Sequence, residues 1–131
     1  MKILIIDNDV STVTTLKALI LSQSQFTIET ALSGAAGLEK MSADPSYDLV
    51  LLDIMMPEIS GMDVCKKMTA DWKLRDIPVL LMSSALPIPP EEFKNSLEKF
   101  SSLSVVKGVI EKPFVINDLL AKINEVARRP L

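Results

Sequence analysis

Tyr47 to Gly61 reads YDLVLLDIMMPEISG. Leu49, Val50, Leu51 and Leu52 form an unbroken apolar run without alternation. Both faces of such a segment must be covered, which is the signature of a central parallel strand. The run stops at a carboxylate, Asp53, and a loop containing Pro57 and Gly61 follows. In open α/β sheets the carboxyl edge of the strands is where ligands bind. The strand is therefore the mount and Asp53 the candidate working group.

The same pattern recurs on either side. Ile3 to Ile6 is a second apolar run, again ending in polar groups at Asp7-Asn8-Asp9. Val13, Leu16, Leu19 and Ile20 then recur at helical spacing up to the Ser22–Gln25 break, and Asp9 or Ser11 is positioned to cap that helix. Phe26, Ile28 and Thr30 alternate with Thr27 and Glu29, as expected of a less buried edge strand ending at Ala31. Ser33 can cap a short helix through Leu38 and Met41 that ends at the Asp44-Pro45 turn. Beyond Gly61 a helix from Met62 to Trp72 is expected, with Val64, Cys65, Met68 and Trp72 on one stripe. Val79 to Met82 reads as a fourth strand ending at Ser83-Ser84. A proline-rich entry, Leu86 to Pro90, leads into a helix with Glu91 and Glu92 in its first turn and Phe93, Leu97 and Phe100 on its apolar side. Val105 to Ile110 is a fifth strand running into Glu111-Lys112-Pro113-Phe114. Ile116, Leu119, Leu120, Ile123 and Val126 line one face of a last helix. Five alternating strand and helix units predict an α/β fold with a doubly wound parallel sheet.

At 131 residues and 48% hydrophobic content the chain suits one domain with a proper core, residues 1–131. The net charge of −3 and scattered basic residues give no stripe for direct nucleic-acid binding. Cys65 is the only cysteine and there is no histidine, which excludes an internal disulfide and leaves no ligand set for structural zinc. Without histidine to activate it, Cys65 reads as packing. No apolar run reaches the roughly 20 residues of a membrane span, and no signal-peptide pattern follows Met1. A cytoplasmic protein that neither crosses a membrane nor is exported is expected.

Parallel strands joined by right-handed crossovers place their carboxyl ends on one edge. Asp7, Asn8, Asp53, Ser83 and Lys112 each follow or end a strand, so these groups should converge. Carboxylates and an amide oxygen make a hard site of the kind magnesium accepts with waters retained. The Lys112 ammonium and the Ser83 hydroxyl complete what an incoming phosphoryl group needs, because its transition state spreads negative charge over equatorial oxygens. Asp53 is the expected acceptor.

These residues resemble the response-regulator receiver domain of two-component signalling, of the chemotaxis-regulator type. Ile6-Asp7-Asn8 is similar to its acidic pair after the first strand, and Asp53 to Pro57 with Gly61 is similar to its D-x-x-M-P-x-x-x-G loop. Ser83-Ser84 resembles its Thr or Ser followed by a small residue, and Lys112-Pro113-Phe114 its K-P-F. The resemblance spans essentially the whole chain. It implies a flavodoxin-like strand order 2-1-3-4-5 with helices on both faces. It implies that Asp53 accepts a phosphoryl group from a histidine kinase or histidine phosphotransfer protein. Asn8, Asp53 and the Met55 carbonyl would hold Mg2+, with Asp7 acting through water. Ser83 and Lys112 would engage the phosphoryl oxygens, and the Lys112-Pro113 peptide would be cis. The partners beyond the donor would be a downstream protein, an attached effector domain or a second copy of the chain. Such a domain assists its own phosphorylation and dephosphorylation but is not otherwise an enzyme. No effector segment follows Leu131 in the sequence, as expected of a stand-alone or an excised receiver.

Three features depart from the family pattern. Asn8 stands where a carboxylate is usual, Val109 where many members carry Tyr or Phe, and the Ser83–Lys112 interval is longer than usual, with the excess between Leu86 and Ser104. Asn8 and Val109 motivate an alternative, a degenerate receiver that binds partners without being phosphorylated. Another alternative is a haloacid-dehalogenase-type phosphatase with Asp7 as nucleophile, since Asp7-Asn8-Asp9-Val10-Ser11 resembles that motif. Plainer roles fit other residues. Asp9 reads as a helix cap, Ser84 as a small residue that lets the loop pass, and Met56 as inward packing.

Overall fold

The computed structural model describes residues 1–23, 25–54, 60–84 and 103–128. The Met55 carbonyl, Met56 and the expected helix through Glu91 and Phe100 lie outside those residues. The described elements run β1 (Lys2–Ile6), α1 (Val10–Gln23), β2 (Thr27–Ala31), α2 (Gly34–Ala43), β3 (Leu49–Asp53), α3 (Gly61–Ala70), β4 (Val79–Ser84), β5 (Val106–Lys112) and α4 (Ile116–Val126). All strand pairings are parallel, in the order β2-β1-β3-β4-β5. The order reverses between β1 and β3, and a crevice opens outside the carboxyl ends at such a point.

Side chains from β1 and β3 divide between the two faces. Ile3, Ile5, Leu49 and Leu51 join Val13, Leu16 and Ile20 of α1 and Leu119 and Ile123 of α4. Leu4, Ile6, Val50 and Leu52 join Met41 of α2 and Val64, Cys65 and Met68 of α3. All eight strand residues are fully buried, so the unbroken apolar runs are explained by helices on both faces. Each such side chain contributes about 1.5–3 kcal/mol. The Cys65 thiol lies inside this packing and burial pushes it up to about 12, so it stays protonated and inert.

Polar groups bracket β3. At its start Asp48, 2% exposed, accepts from the Lys2 backbone N–H through Oδ2 at 2.8 Å. Its own N–H donates to the Lys2 carbonyl at 2.7 Å. The Arg128 N–H donates to the Asp48 carbonyl at 2.9 Å, and the Arg128 guanidinium donates to the carbonyls of Tyr47 and Pro45.

Several boundaries differ from expectation. The third helix starts at Gly61 and stops at Ala70, and Trp72 does not join its apolar stripe. Asp71 closes the helix with its N–H on the Met68 carbonyl at 3.2 Å, and the turn leaves Trp72 72% exposed, with the Lys73 ammonium 5.7 Å from the centre of its ring. Leu19 is likewise exposed, because the buried stripe of α1 runs through Val13, Leu16 and Ile20. The strand β4 extends through Ser83 and Ser84, and β5 extends to Lys112. Its pairing with β4 shifts by one residue, with Val79 opposite Val106 but Leu80 opposite Gly108. That shift brings Lys112 opposite Ser84; an unshifted ladder would bring Glu111 there.

Candidate functional site

Asp7 follows β1 directly, and its N–H donates to the Ala31 carbonyl at 3.1 Å. Only 1% of it is exposed. Its carboxylate is divided: Oδ1 accepts the Asp9 N–H at 3.0 Å and Oδ2 receives the Lys112 ammonium at 3.1 Å. Asp53 ends β3 beside it, also buried, with Oδ1 3.9 Å from the same ammonium. One cation therefore faces two buried carboxylates that would otherwise repel each other in a poorly solvated place. Ser83 is one position beyond the register partner of Asp53 on β4. Its hydroxyl is buried and finds no hydrogen-bond partner among the described residues.

Asn8 lies exposed next to Asp7. The donors are all oxygen: the Asp7 and Asp53 carboxylates already face one cation, the Lys112 ammonium, and Asn8 adds an amide next to Asp7 in the sequence. This suits magnesium, which binds through one or two carboxylates and keeps several waters. No group of three or more His, Cys, Asp or Glu side chains able to hold a metal occurs among the described residues.

Residues 3–124 match the family described as the response regulator receiver domain. The chain belongs to that family. A transcriptional regulatory protein of Haemophilus influenzae, the CpxR homolog, is 30% identical over 129 residues, covering 98% of this chain and 51% of the relative. The N-terminal domain of a response regulator receiver protein from Methanoculleus marisnigri JR1 is 34% identical, covers 98% of this chain and 97% of that one, and superposes with a TM-score of 0.67. The chemotaxis protein CheY4 of Vibrio cholerae, at 22% identity, covers 95% of this chain and 97% of that one with a TM-score of 0.78, and shares the fold. The chain spans about half the length of the curated relatives it matches. This is a receiver domain of two-component systems, and the haloacid-dehalogenase alternative falls away.

In this receiver domain the Lys112 ammonium lies against Asp7 and Asp53, Ser83 stands at the same end of the neighbouring strand, and Asn8 is exposed beside Asp7. The Lys112-Pro113 peptide is cis. Asp9 caps α1: its carboxylate accepts from the Ser11 N–H at 3.0 Å and the Thr12 hydroxyl at 2.9 Å. The Thr12 hydroxyl is the main influence holding the Asp9 carboxyl below its usual range.

Two positioning features go beyond what the sequence motifs gave. Ser60 and Asp63 form a capping box at the start of α3, with the Asp63 N–H on Ser60 Oγ at 3.2 Å. The S-x-x-D spacing was the available signal. The other is Gly61, whose N–H donates to the Ile54 carbonyl at 3.4 Å. A Cβ there would come within 2.8 Å of the Asp53 carbonyl oxygen and 3.1 Å of Ile54 Cα. Both are backbone atoms of the segment that carries Asp53 and cannot swing aside. Gly61→Ala should therefore destabilise the domain by about 1–3 kcal/mol, as overpacking does. Chemical denaturation of the two proteins checks this, and equal midpoints would show that the contact relaxes freely.

Proposed function

We propose that residues 1–131 form one receiver domain whose Asp53 takes a phosphoryl group from a phosphohistidine on a kinase or phosphotransfer protein. The arrangement of the Lys112 ammonium against Asp53 and Asp7 carries this reading. An Asp53 carboxylate oxygen forms the new bond to phosphorus as the bond from phosphorus to the donor nitrogen breaks. The electron pair of that bond leaves with the imidazole, so no redox partner is needed. Lys112 neutralises charge on the transferring group, and the Ser83 hydroxyl, which has no partner among the described residues, donates to one of its oxygens.

Asp7, Asn8 and Asp53, with the Met55 carbonyl by family resemblance, would hold Mg2+. When bound, the ion neutralises part of the charge gathered on the acceptor and the incoming group. A further support is the apolar rim. Val10, Leu32 and Val115 are each about half exposed or more, and each stands just beyond the carboxyl end of β1, β2 or β5. A helix bearing the phosphohistidine would cover them and exclude water from the transfer. The domain then signals by altering how it meets a downstream protein, an attached effector module or a second copy of itself. It performs no other chemistry than assisting its own phosphorylation and dephosphorylation. A cytoplasmic place suits such a partner, and no helix among the described residues is long and apolar enough to cross a membrane.

Incubation with acetyl phosphate and magnesium, followed by peptide mass mapping, tests the assignment. One label on Asp53 is the expected result. A label on Asp7 would overturn it, and no label from either acetyl phosphate or a histidine donor would favour a degenerate receiver. Restoring the missing carboxylate should also tighten the site. Asn8→Asp is expected to raise magnesium affinity roughly tenfold, about 1.4 kcal/mol, in a calorimetric titration. Unchanged affinity would remove residue 8 from the ligand set.

A further inference from the structure

The turn between α3 and β4 presents the chain's only tryptophan to solvent, with Trp72 72% exposed. The backbone beneath it is tied down. Asp71 holds the turn three times: its Oδ1 accepts the Lys73 N–H at 2.9 Å, and its carbonyl accepts the Leu74 N–H at 3.0 Å and the Arg75 N–H at 2.9 Å. The Ile77 N–H donates to the Leu74 carbonyl at 3.0 Å, and Leu74 and Ile77 are both buried. These two side chains anchor the turn, so the fold gains little from the indole that stands outside it.

The surroundings of Trp72 are basic. Lys66, Lys67, Lys73 and Arg75 are all exposed, four cations within ten residues, and Asp71 is the only acid between them. The Lys73 ammonium lies 5.7 Å from the centre of the Trp72 ring. None of the four cations forms a salt bridge among the described residues. Lys67 suits the carbonyl end of α3 electrostatically, but Lys73 and Arg75 lie beyond that end. Ammonium, guanidinium and indole N–H groups donate hydrogen bonds and accept none. The patch is an array of donors around one apolar plate.

We propose that this turn is a docking surface for a short acidic segment of a partner protein, with an apolar side chain of that segment on Trp72 and its carboxylates on Lys73, Arg75 and the lysines of α3. Residues 66–75 carry a net +3 in a chain of net −3, so the rest of the surface is acidic. A lipid surface or a nucleic-acid strand would extend past the patch by more than the Debye length of about 8 Å and meet that repulsion. A short segment touches the patch alone. Tryptophan and arginine are the side chains that most often carry interface affinity, and a turn fixed before binding loses little freedom when the partner arrives. The turn leads into β4, and Ser83 stands near the other end of that strand. The partner therefore sits at the opposite edge of the sheet from Asp53 and leaves the phosphorylation site open.

The test titrates the protein against a short peptide of glutamates around a central leucine, at low and at physiological ionic strength. Fluorescein anisotropy of the labelled peptide reports binding, and the emission of Trp72, the sole indole, reports burial by the unlabelled one. Saturable binding that weakens with salt and shifts the emission to the blue is expected. Trp72→Ala and Lys73→Gln/Arg75→Gln should each weaken it by about tenfold. Both variants should melt with the parent and take label on Asp53 from acetyl phosphate at the parental rate, because the replaced side chains are exposed and remote from the site. Absence of binding, or binding that the variants leave unchanged, overturns the proposal. So does an emission shift caused by phosphatidylglycerol vesicles or a single-stranded oligonucleotide but not by the peptide, which would assign the patch to that polyanion. A parent that sediments as a dimer, dissociated by Trp72→Ala, overturns it in favour of a second copy of the chain. None of these outcomes bears on Asp53 as acceptor.

Discussion

Asp53→Asn should remain folded and take up phosphoryl groups from acetyl phosphate on the order of a thousandfold more slowly than the parent, if at all, as expected when a nucleophile is removed. The substitution keeps the shape of the side chain at the end of β3 and replaces a charged oxygen by an amide that cannot form the acyl phosphate. The neighbouring carboxylate is poorly placed to stand in. Asp7 is the nearest candidate, but it is 1% exposed, with one oxygen on the Asp9 N–H and the other on the Lys112 ammonium. Intact mass after incubation with donor and magnesium measures the uptake, and circular dichroism establishes that the variant is folded. Uptake at the parental rate would place the acceptor elsewhere.

Lys112→Met should slow uptake by about a hundredfold, the usual consequence of removing one preorganised electrostatic contact from a transition state. Methionine keeps much of the length and apolar stem of lysine, so packing around β5 changes little. What disappears is the ammonium that faces both Asp7 and Asp53. The incoming group then meets two carboxylates with only magnesium to offset them. Lys112→Arg should recover part of the rate, since the charge returns on a planar, bulkier head. The time course of labelling separates the three proteins, and a Met variant within twofold of the parent would assign Lys112 a purely structural place.

Much of this site could be read from residues, because its parts stand at the ends of apolar runs. Leu49–Leu52 and Ile3–Ile6 are buried on both faces, and that demand places them centrally and places Asp53 and Asp7 at one edge. Other features depend on tertiary detail that no local pattern encodes. The one-residue shift between β4 and β5 decides that Lys112, not Glu111, stands opposite Ser84, and nothing in Val106-Lys107-Gly108 announces it. Trp72 fits the helical period of α3, but the helix has already ended at Ala70. Gly61 could be matched to a motif, but its steric reason, the Asp53 and Ile54 backbone against its Cα, emerges only in three dimensions.

An all-apolar strand has a weakness that its burial conceals. Where one face is polar, sliding by a residue exposes the wrong side chains and is penalised, but Leu49, Val50, Leu51 and Leu52 look alike from either side of the sheet. Asp48 removes that ambiguity. Bonded through its side chain and its N–H to Lys2, it anchors β3 against β1 at the far edge from the chemistry. At roughly 3.3 Å per residue, each step of slippage would carry Asp53 that far from Asp7. Asp48 is thus the zero mark of a ruler whose other end is Asp53, and a residue at the opposite edge of the sheet sets how closely the Asp7 and Asp53 carboxylates meet.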